Sequence, residues 1–156
     1  EEIWQIAGNS GARGESVFLE RWHDLPAQAD EPALLARWSR LRELRALTTK
    51  RIEELRVAGA VGSSLQAEVT LLAVGDDFDL LASLGDDLKF VLITSAARVE
   101  KAEGETRVEA SASSHEKCER CWHYRDDVGG ADAAHPGLCG RCVSNLHGAG
   151  EARQHA

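Results

Sequence analysis

The sequence predicts an α+β chain in three parts: a long amphipathic helix, a small α+β subdomain, and a carboxy-terminal four-cysteine zinc ribbon or finger. Three observations carry this. Apolar residues step by three and four across residues 31–59, strand and helix patterns alternate across 61–113, and all four cysteines fall between 118 and 142. The boundaries expected are 1–60, 61–113 and 114–156.

Residues 1–30 are mixed. Trp4, Phe18 and Trp22 stand as apolar anchors in a stretch rich in small residues, Gly8-Asn9-Ser10-Gly11 and Gly14. Glu1 to Ile6 reads as the end of a helix. The chain begins Glu1-Glu2 and contains no Met, so it is expected to be a piece of a longer polypeptide.

The helix of residues 31–59 rests on Leu34, Trp38, Leu41, Leu44, Thr48, Ile52 and Leu55, which fall on one stripe. Asp30 suits its cap, Pro32 its first turn and Gly59 its end. It carries seven basic side chains, Arg37, Arg40, Arg42, Arg45, Lys50, Arg51 and Arg56, against four acidic ones. They lie largely off the apolar stripe, as a solvated charged face or as a face toward nucleic-acid phosphates.

After the linker at Gly62-Ser63-Ser64, residues 65–74 begin with polar alternation and read as a strand. Asp76-Asp77 suits the cap of a short helix with Phe78, Leu80, Leu81 and Leu84 on its apolar face, stopped by Gly85. Phe90-Val91-Leu92-Ile93 reads as a buried strand. Residues 97–101 and 106–112 are further strand candidates. This segment shows neither a phosphate-binding glycine loop nor a Ser/His/Asp or Cys/His catalytic arrangement, and its carboxylates suit solvated loops and caps.

Cys118-Glu119-Arg120-Cys121 and Cys139-Gly140-Arg141-Cys142 form two C-x-x-C pairs with a zinc-like spacer. Two cysteines three apart on a tight turn can both aim sulfur at one ion, and a second such turn completes a tetrahedron. A segment of about 40 residues with few core-forming side chains needs such a centre to fold. Cys118, Cys121, Cys139 and Cys142 are therefore the expected ligands of one zinc ion per chain. Four thiolates close the shell, which argues for a structural rather than a catalytic ion. His123 and His135 lie between the pairs as weaker alternative ligands.

Zinc with four thiolates carries a formal charge of −2. Arg120 and Arg141, each just before the second cysteine of its pair, either offset that charge or reach a phosphate or a base edge. Trp122, beside Cys121, either packs over the metal site or stacks on an unpaired base.

Hydrophobic residues are 43% and charged residues 28%, a foldable composition, and no apolar run approaches the ~20 residues of a membrane span. A net charge of −8 argues against binding nucleic acid by bulk positive charge. Two tight cysteine pairs at one end suit metal in a reducing cytoplasm.

Lys117-Cys118-Glu119-Arg120-Cys121-Trp122-His123-Tyr124 with Leu138-Cys139-Gly140-Arg141-Cys142-Val143-Ser144-Asn145 resembles the carboxy-terminal zinc motif of bacterial isoleucyl-tRNA synthetases. Glu2-Ile3-Trp4, Trp38, Lys50-Arg51-Ile52-Glu53, Val61 to Ala67 and Phe90 to Ser95 are similar to the same family, so the resemblance covers nearly the whole chain.

The resemblance implies that residues 1–60 end a helical anticodon-binding bundle. The parent would be an ATP-dependent ligase that attaches isoleucine to tRNA(Ile) and edits mischarged product. It implies tRNA(Ile), through its anticodon arm, and the remainder of the synthetase as partners. Arg120, Trp122, Arg141 and Asn145 would be the RNA contacts of the zinc module, with Arg37, Arg40 and Arg45 on the helix. No His-Ile-Gly-His and no Lys-Met-Ser-Lys-Ser occurs. The chain itself is then expected to be non-catalytic, with ATP bound only in the absent catalytic domain. Two other readings remain: a DNA-repair glycosylase-type finger, disfavoured by Glu1-Glu2 and by the Trp-His-Tyr run, and a purely structural zinc ribbon.

Overall fold

The computed structural model describes residues 1–7, 14–27 and 29–151. It divides into two compact units, residues 1–33 and 34–156. The boundaries expected at 60 and 113 both fall inside the second.

The first unit contains helix α1 (Glu2–Ile6) and a 3₁₀ turn over Val17–Leu19. Its order comes from polar bonds: the Trp4 indole N–H donates to Gly14 O (3.0 Å), and Ser16 Oγ donates to the Glu1 carboxylate (2.9 Å). Phe18 and Trp22 do not act as anchors within it, being 83% and 98% exposed. Elements of five and three residues present too little face to cover an aromatic ring. The Gly8-Asn9-Ser10-Gly11 run lies outside the described residues.

Helix α2 (Glu31–Val57) follows, 27 residues long. Leu41, Leu44, Thr48 and Ile52 are buried, so the predicted stripe is used through its middle and end. Leu34 and Trp38, at its start, remain 45% and 38% exposed. Gly59 sits in the left-handed region (φ 73°) and stops the helix, with the Ala60 N–H reaching back to Leu55 O at 2.9 Å.

Strand β1 (Ala67–Ala73) is the spine of a three-stranded sheet of order β2-β1-β3. It pairs parallel with β2 (Ala96–Lys101) and antiparallel with β3 (Arg107–Ala112). Its alternate residues Ala67, Val69, Leu71 and Ala73 are buried, the period-2 signature of one covered face. They share one core with Leu41, Leu44 and Ile52 of α2 and with Leu81, Leu84, Leu88 and Leu92.

Those leucines lie on the crossover from β1 to β2, which holds α3 (Asp76–Ala82) and α4 (Leu88–Leu92). The strand expected at Phe90–Ile93 is thus helical. Leu88 and Leu92, four apart, are buried on one side, while Ile93 takes a left-handed conformation (φ 59°) and stays 45% exposed. A short apolar run carries no period that separates buried strand from buried helix.

Asp76 and Asp77 also depart from expectation. Gly75 is the N-cap of α3, and neither carboxylate caps it. The Asp77 carboxylate instead accepts from both the Nε and Nη2 of Arg40 (2.7 and 2.8 Å) and from Thr106 Oγ1 (2.7 Å), tying α2 and α3 to the start of β3.

Among the described residues, no helix is long and apolar enough to cross a membrane.

Candidate metal centre

Residues 114–151 have a core made of sulfur. Cys118, Cys139 and Cys142 are fully buried, and the half-buried Cys121, Val128 and Leu138 pack against them. Two short elements and one helix position the thiols. Strands β4 (Glu116–Lys117) and β5 (Tyr124–Arg125) pair antiparallel, and the turn between them carries the first cysteine pair. The Cys118 N–H donates to His123 O and the Trp122 N–H to Cys118 O, both at 2.9 Å. This tight knuckle puts Trp122 at φ 65°, a conformation bulky side chains rarely adopt.

The second pair opens helix α5 (Gly140–His147), with Cys139 at the N-cap and Cys142 in the first turn. The N–H of Gly140 donates to Asp127 Oδ2 (3.0 Å), and Arg125 pairs with the same carboxylate (3.0 Å). A Cβ at Gly140 would stand 2.9 Å from that oxygen, so a larger residue would have to displace the Asp127 carboxylate.

The four Sγ atoms lie within 4.8 Å of one another. Cys121 and Cys139 Sγ are 3.8 Å apart, well beyond disulfide bonding. That matches the edge of about 3.8 Å of a tetrahedron with Zn–S bonds of ~2.3 Å. The donor set therefore fits one four-coordinate zinc ion with no open position.

The surroundings are built for negative charge. The Cys139 N–H points at Cys118 Sγ (3.4 Å), and Arg120 Nη1 at Cys142 Sγ (3.6 Å). Burial works against ionisation of Cys118, but the N–H groups of Cys121, Cys139 and Arg120 outweigh it and bring the thiol down to about 6. Burial pushes the thiols of Cys121 and Cys139 up. One sulfur is thus ready as thiolate, and a metal must displace the protons of those harder to ionise.

The residues expected to meet RNA separate into distinct environments. Arg120 faces sulfur, which is the charge-offsetting geometry. Arg141, at the equivalent position, does not: its guanidinium lies over the Phe90 ring (4.8 Å to the centroid) and pairs with Glu151 at 2.7 Å. Asn145 bonds the same Glu151 through both its amide nitrogen and its oxygen. Trp122 does not pack over the metal site; it is 58% exposed, with Lys117 Nζ 5.3 Å from the ring centroid. On α2, Arg37 Nη2 donates to Ser83 Oγ (2.8 Å) and Arg40 is held by Asp77 and Glu43, whereas Arg45 is exposed.

His123 is not directed at the sulfurs. Its Nδ1 meets Cys121 O (3.2 Å), its ring stands edge-on to Phe90 at 5.6 Å, and Nε2 is buried with no hydrogen-bond partner. Burial, reinforced by the nearby cations Arg141, Lys89 and Arg125, lowers this ring's pKa and favours its neutral form. His135 stacks on His147 at 4.2 Å and 2°.

Sequence reasoning missed Phe90 as the seat for this module, Lys117 beside Trp122, and Asp127 as the acceptor for α5. Only the last carried a signal, as an acidic residue ahead of a helix start.

Residues 116–145 match the family model of the zinc finger found in FPG and IleRS. The whole chain is 56% identical to an isoleucine–tRNA ligase of Bordetella petrii, 58% identical to one of Thiobacillus denitrificans and 52% identical to one of Aromatoleum aromaticum. In each case all of this chain is covered but only 16–17% of the relative, so the chain spans about a sixth of the length of the curated relatives it matches.

Proposed function

We propose that this chain is the tRNA-recognition tail of a bacterial isoleucine–tRNA ligase, acting in the cytoplasm as part of a longer polypeptide that joins isoleucine to tRNA(Ile) with ATP. The observation that carries the reading is similarity to these ligases along the entire chain, at 51–58% identity. The finger match alone does not separate a ligase from a DNA glycosylase, because its family description covers FPG as well as IleRS. The relatives, which match this chain along its whole length, favour the ligase.

In this reading Cys118, Cys121, Cys139 and Cys142 hold one zinc ion, which fixes the backbone of a module too poor in apolar residues to fold by burial. Residues 1–60, 61–113 and 114–156 act as the end of the helical domain, a connecting α+β subdomain and the zinc module. The anticodon arm is met chiefly by Trp122, an exposed indole beside Lys117, which suits stacking on an unpaired base with a cation near the phosphate. Arg120 supports it from the sulfur side. Arg141 and Asn145 contribute after exchanging Glu151 for RNA, as Arg37 and Arg40 would after exchanging Ser83 and Asp77; Arg45 needs no exchange. Activation and editing belong to the remainder of the synthetase.

The test is kinetic. In the full-length ligase, Trp122→Ala should raise KM for tRNA about tenfold, in line with ~1–3 kcal/mol per stacked base. Isoleucine-dependent ATP–pyrophosphate exchange should be unchanged. An equal fall in both would make Trp122 structural and reject the reading.

A further inference from the structure

The seven cations of α2 divide into two groups. Arg37 is bonded to Ser83, Arg40 to Asp77 and Glu43, Arg51 to Glu54, and Arg56 to Glu53. The side chains of Arg42, Arg45 and Lys50 have no ion-pair or hydrogen-bond partner among the described residues, and all three residues are exposed. They also share one face. The buried stripe runs through 41, 44, 48 and 52, whereas Arg42, Arg45, Ala46, Thr49, Lys50 and Glu53 line a shallow outer groove of about 700 Å³. The single carboxylate there, Glu53, is already neutralised by Arg56. In a chain of net charge −8, this is a strip with three uncompensated positive charges and a small-residue floor. Arg42 and Lys50 are eight residues apart, about 12 Å along the axis at 1.5 Å per residue.

We infer that the outer strip of α2 formed by Arg42, Arg45 and Lys50 is a phosphate-backbone contact for RNA, separate from the zinc module. This rests on the tRNA reading above and deepens it. It adds Arg42 and Lys50 to the helix's RNA contacts, as cations that need no exchange, unlike Arg37 and Arg40, whose partners hold α3 in place. The occupant is a polyanion because the strip offers three unpaired cations and a hydroxyl over small side chains, in a chain that is otherwise net negative. It is sequence-blind, because the contact is to backbone phosphates, which carry no sequence information.

The experiment titrates a short RNA stem-loop against the zinc-loaded chain between about 50 and 200 mM salt. The variants are Arg42→Gln/Arg45→Gln/Lys50→Gln, the paired-cation control Arg51→Gln/Arg56→Gln, and Trp122→Ala. Circular dichroism and zinc content confirm that each is folded. The triple variant should flatten the slope of log K against log salt by about two units and weaken low-salt binding roughly tenfold or more. The control should change the slope by less than half as much, and Trp122→Ala should weaken binding without flattening it.

Equal slopes for wild type and triple variant, or equal losses in triple variant and control, overturn the strip while leaving the tRNA reading intact. A longer ligase in which the triple variant lowers Tm but not RNA affinity also overturns it, in favour of a protein contact. No RNA binding by the wild-type chain at any salt overturns both. Flattening by the triple variant with no effect of Trp122→Ala keeps the strip and rejects the zinc-module contact.

Discussion

Residues 34–113 and residues 114–151 fold next to each other by opposite means. The first buries twelve hydrophobic side chains, from Leu41 to Leu92, in one cluster. The second buries three cysteines, with Cys121, Val128 and Leu138 against them, and little else. Burial of apolar surface is spread over many contacts and fails gradually. Coordination concentrates the same task in four atoms and fails at once. The difference also decides what each region can expose. A sulfur-centred fold leaves Trp122 free at 58% exposure, whereas a burial-centred one would have drawn a tryptophan inward.

The largest expected effect breaks the second region alone. Chelating zinc, or Cys139→Ser, should unfold residues 114–151, because metal binding supplies about 10–16 kcal/mol in small zinc modules. Amide exchange should then show protection lost over 114–151 and retained over β1 and the buried face of α2. Equal loss in both regions would mean that the two are one cooperative unit.

Leu71→Ala strikes the first region. Leu71 is fully buried in the middle of β1, so the cost should be about 2–5 kcal/mol, from lost transfer energy plus the residual cavity. Denaturant melting of the zinc-loaded chain reports it, and zinc stoichiometry should remain one per chain.

The contrast explains what the sequence disclosed. The cysteine spacing alone points to the four thiols that the fold gathers, because coordination needs only four atoms of one kind at set intervals. The α2 stripe and the alternation of β1 were legible for the same reason: each is a local period that burial enforces. Phe90–Ile93 was not, because a run of adjacent apolar residues has no period, and its helical state follows from Leu88 and Leu92 both meeting the core. Nor was the fate of the arginines legible. Arg40 and Arg45 look alike in sequence, and only the position of Asp77 across the fold neutralises one of them. Arg120 and Arg141 are likewise equivalent by spacing and unlike in place, since Glu151 and Phe90 claim the second.

Phe90 joins the two regions and gives a smaller test. Arg141 and Lys89 both lie against its ring (4.8 and 5.0 Å), His123 meets it edge-on, and the Tyr124 N–H donates to Ser95 Oγ (2.6 Å) nearby. Phe90→Ala should cost about 1–2 kcal/mol, from one aromatic pair and partly exposed cation–π contacts. Both regions should stay folded, with zinc content unchanged. The sharper signature is a rise in exchange at the Tyr124 amide, which marks loosening of the joint rather than of either part.

The smallest effect belongs to Asp77, and it is one of pH. Its carboxylate is held below the ordinary aspartate value by the hydrogen bonds from Arg40; burial opposes this, and Thr106 reinforces it. A depressed folded pKa means that the unfolded chain takes up this proton first as pH falls. The stabilisation is therefore complete above the ordinary value near 4 and drains away as pH drops below it, through the folded value. Arg40 is 46% exposed on its side chain, so solvent screens the pair and the contribution is about 1 kcal/mol. Asp77→Asn should lower stability by that amount at neutral pH and by nothing once both proteins are protonated. Melting the two side by side from about pH 7 to pH 3 isolates the term, because acid release of zinc is common to both and cancels. A constant gap across that range would show that Asp77 acts through packing against Thr106 and not through its charge.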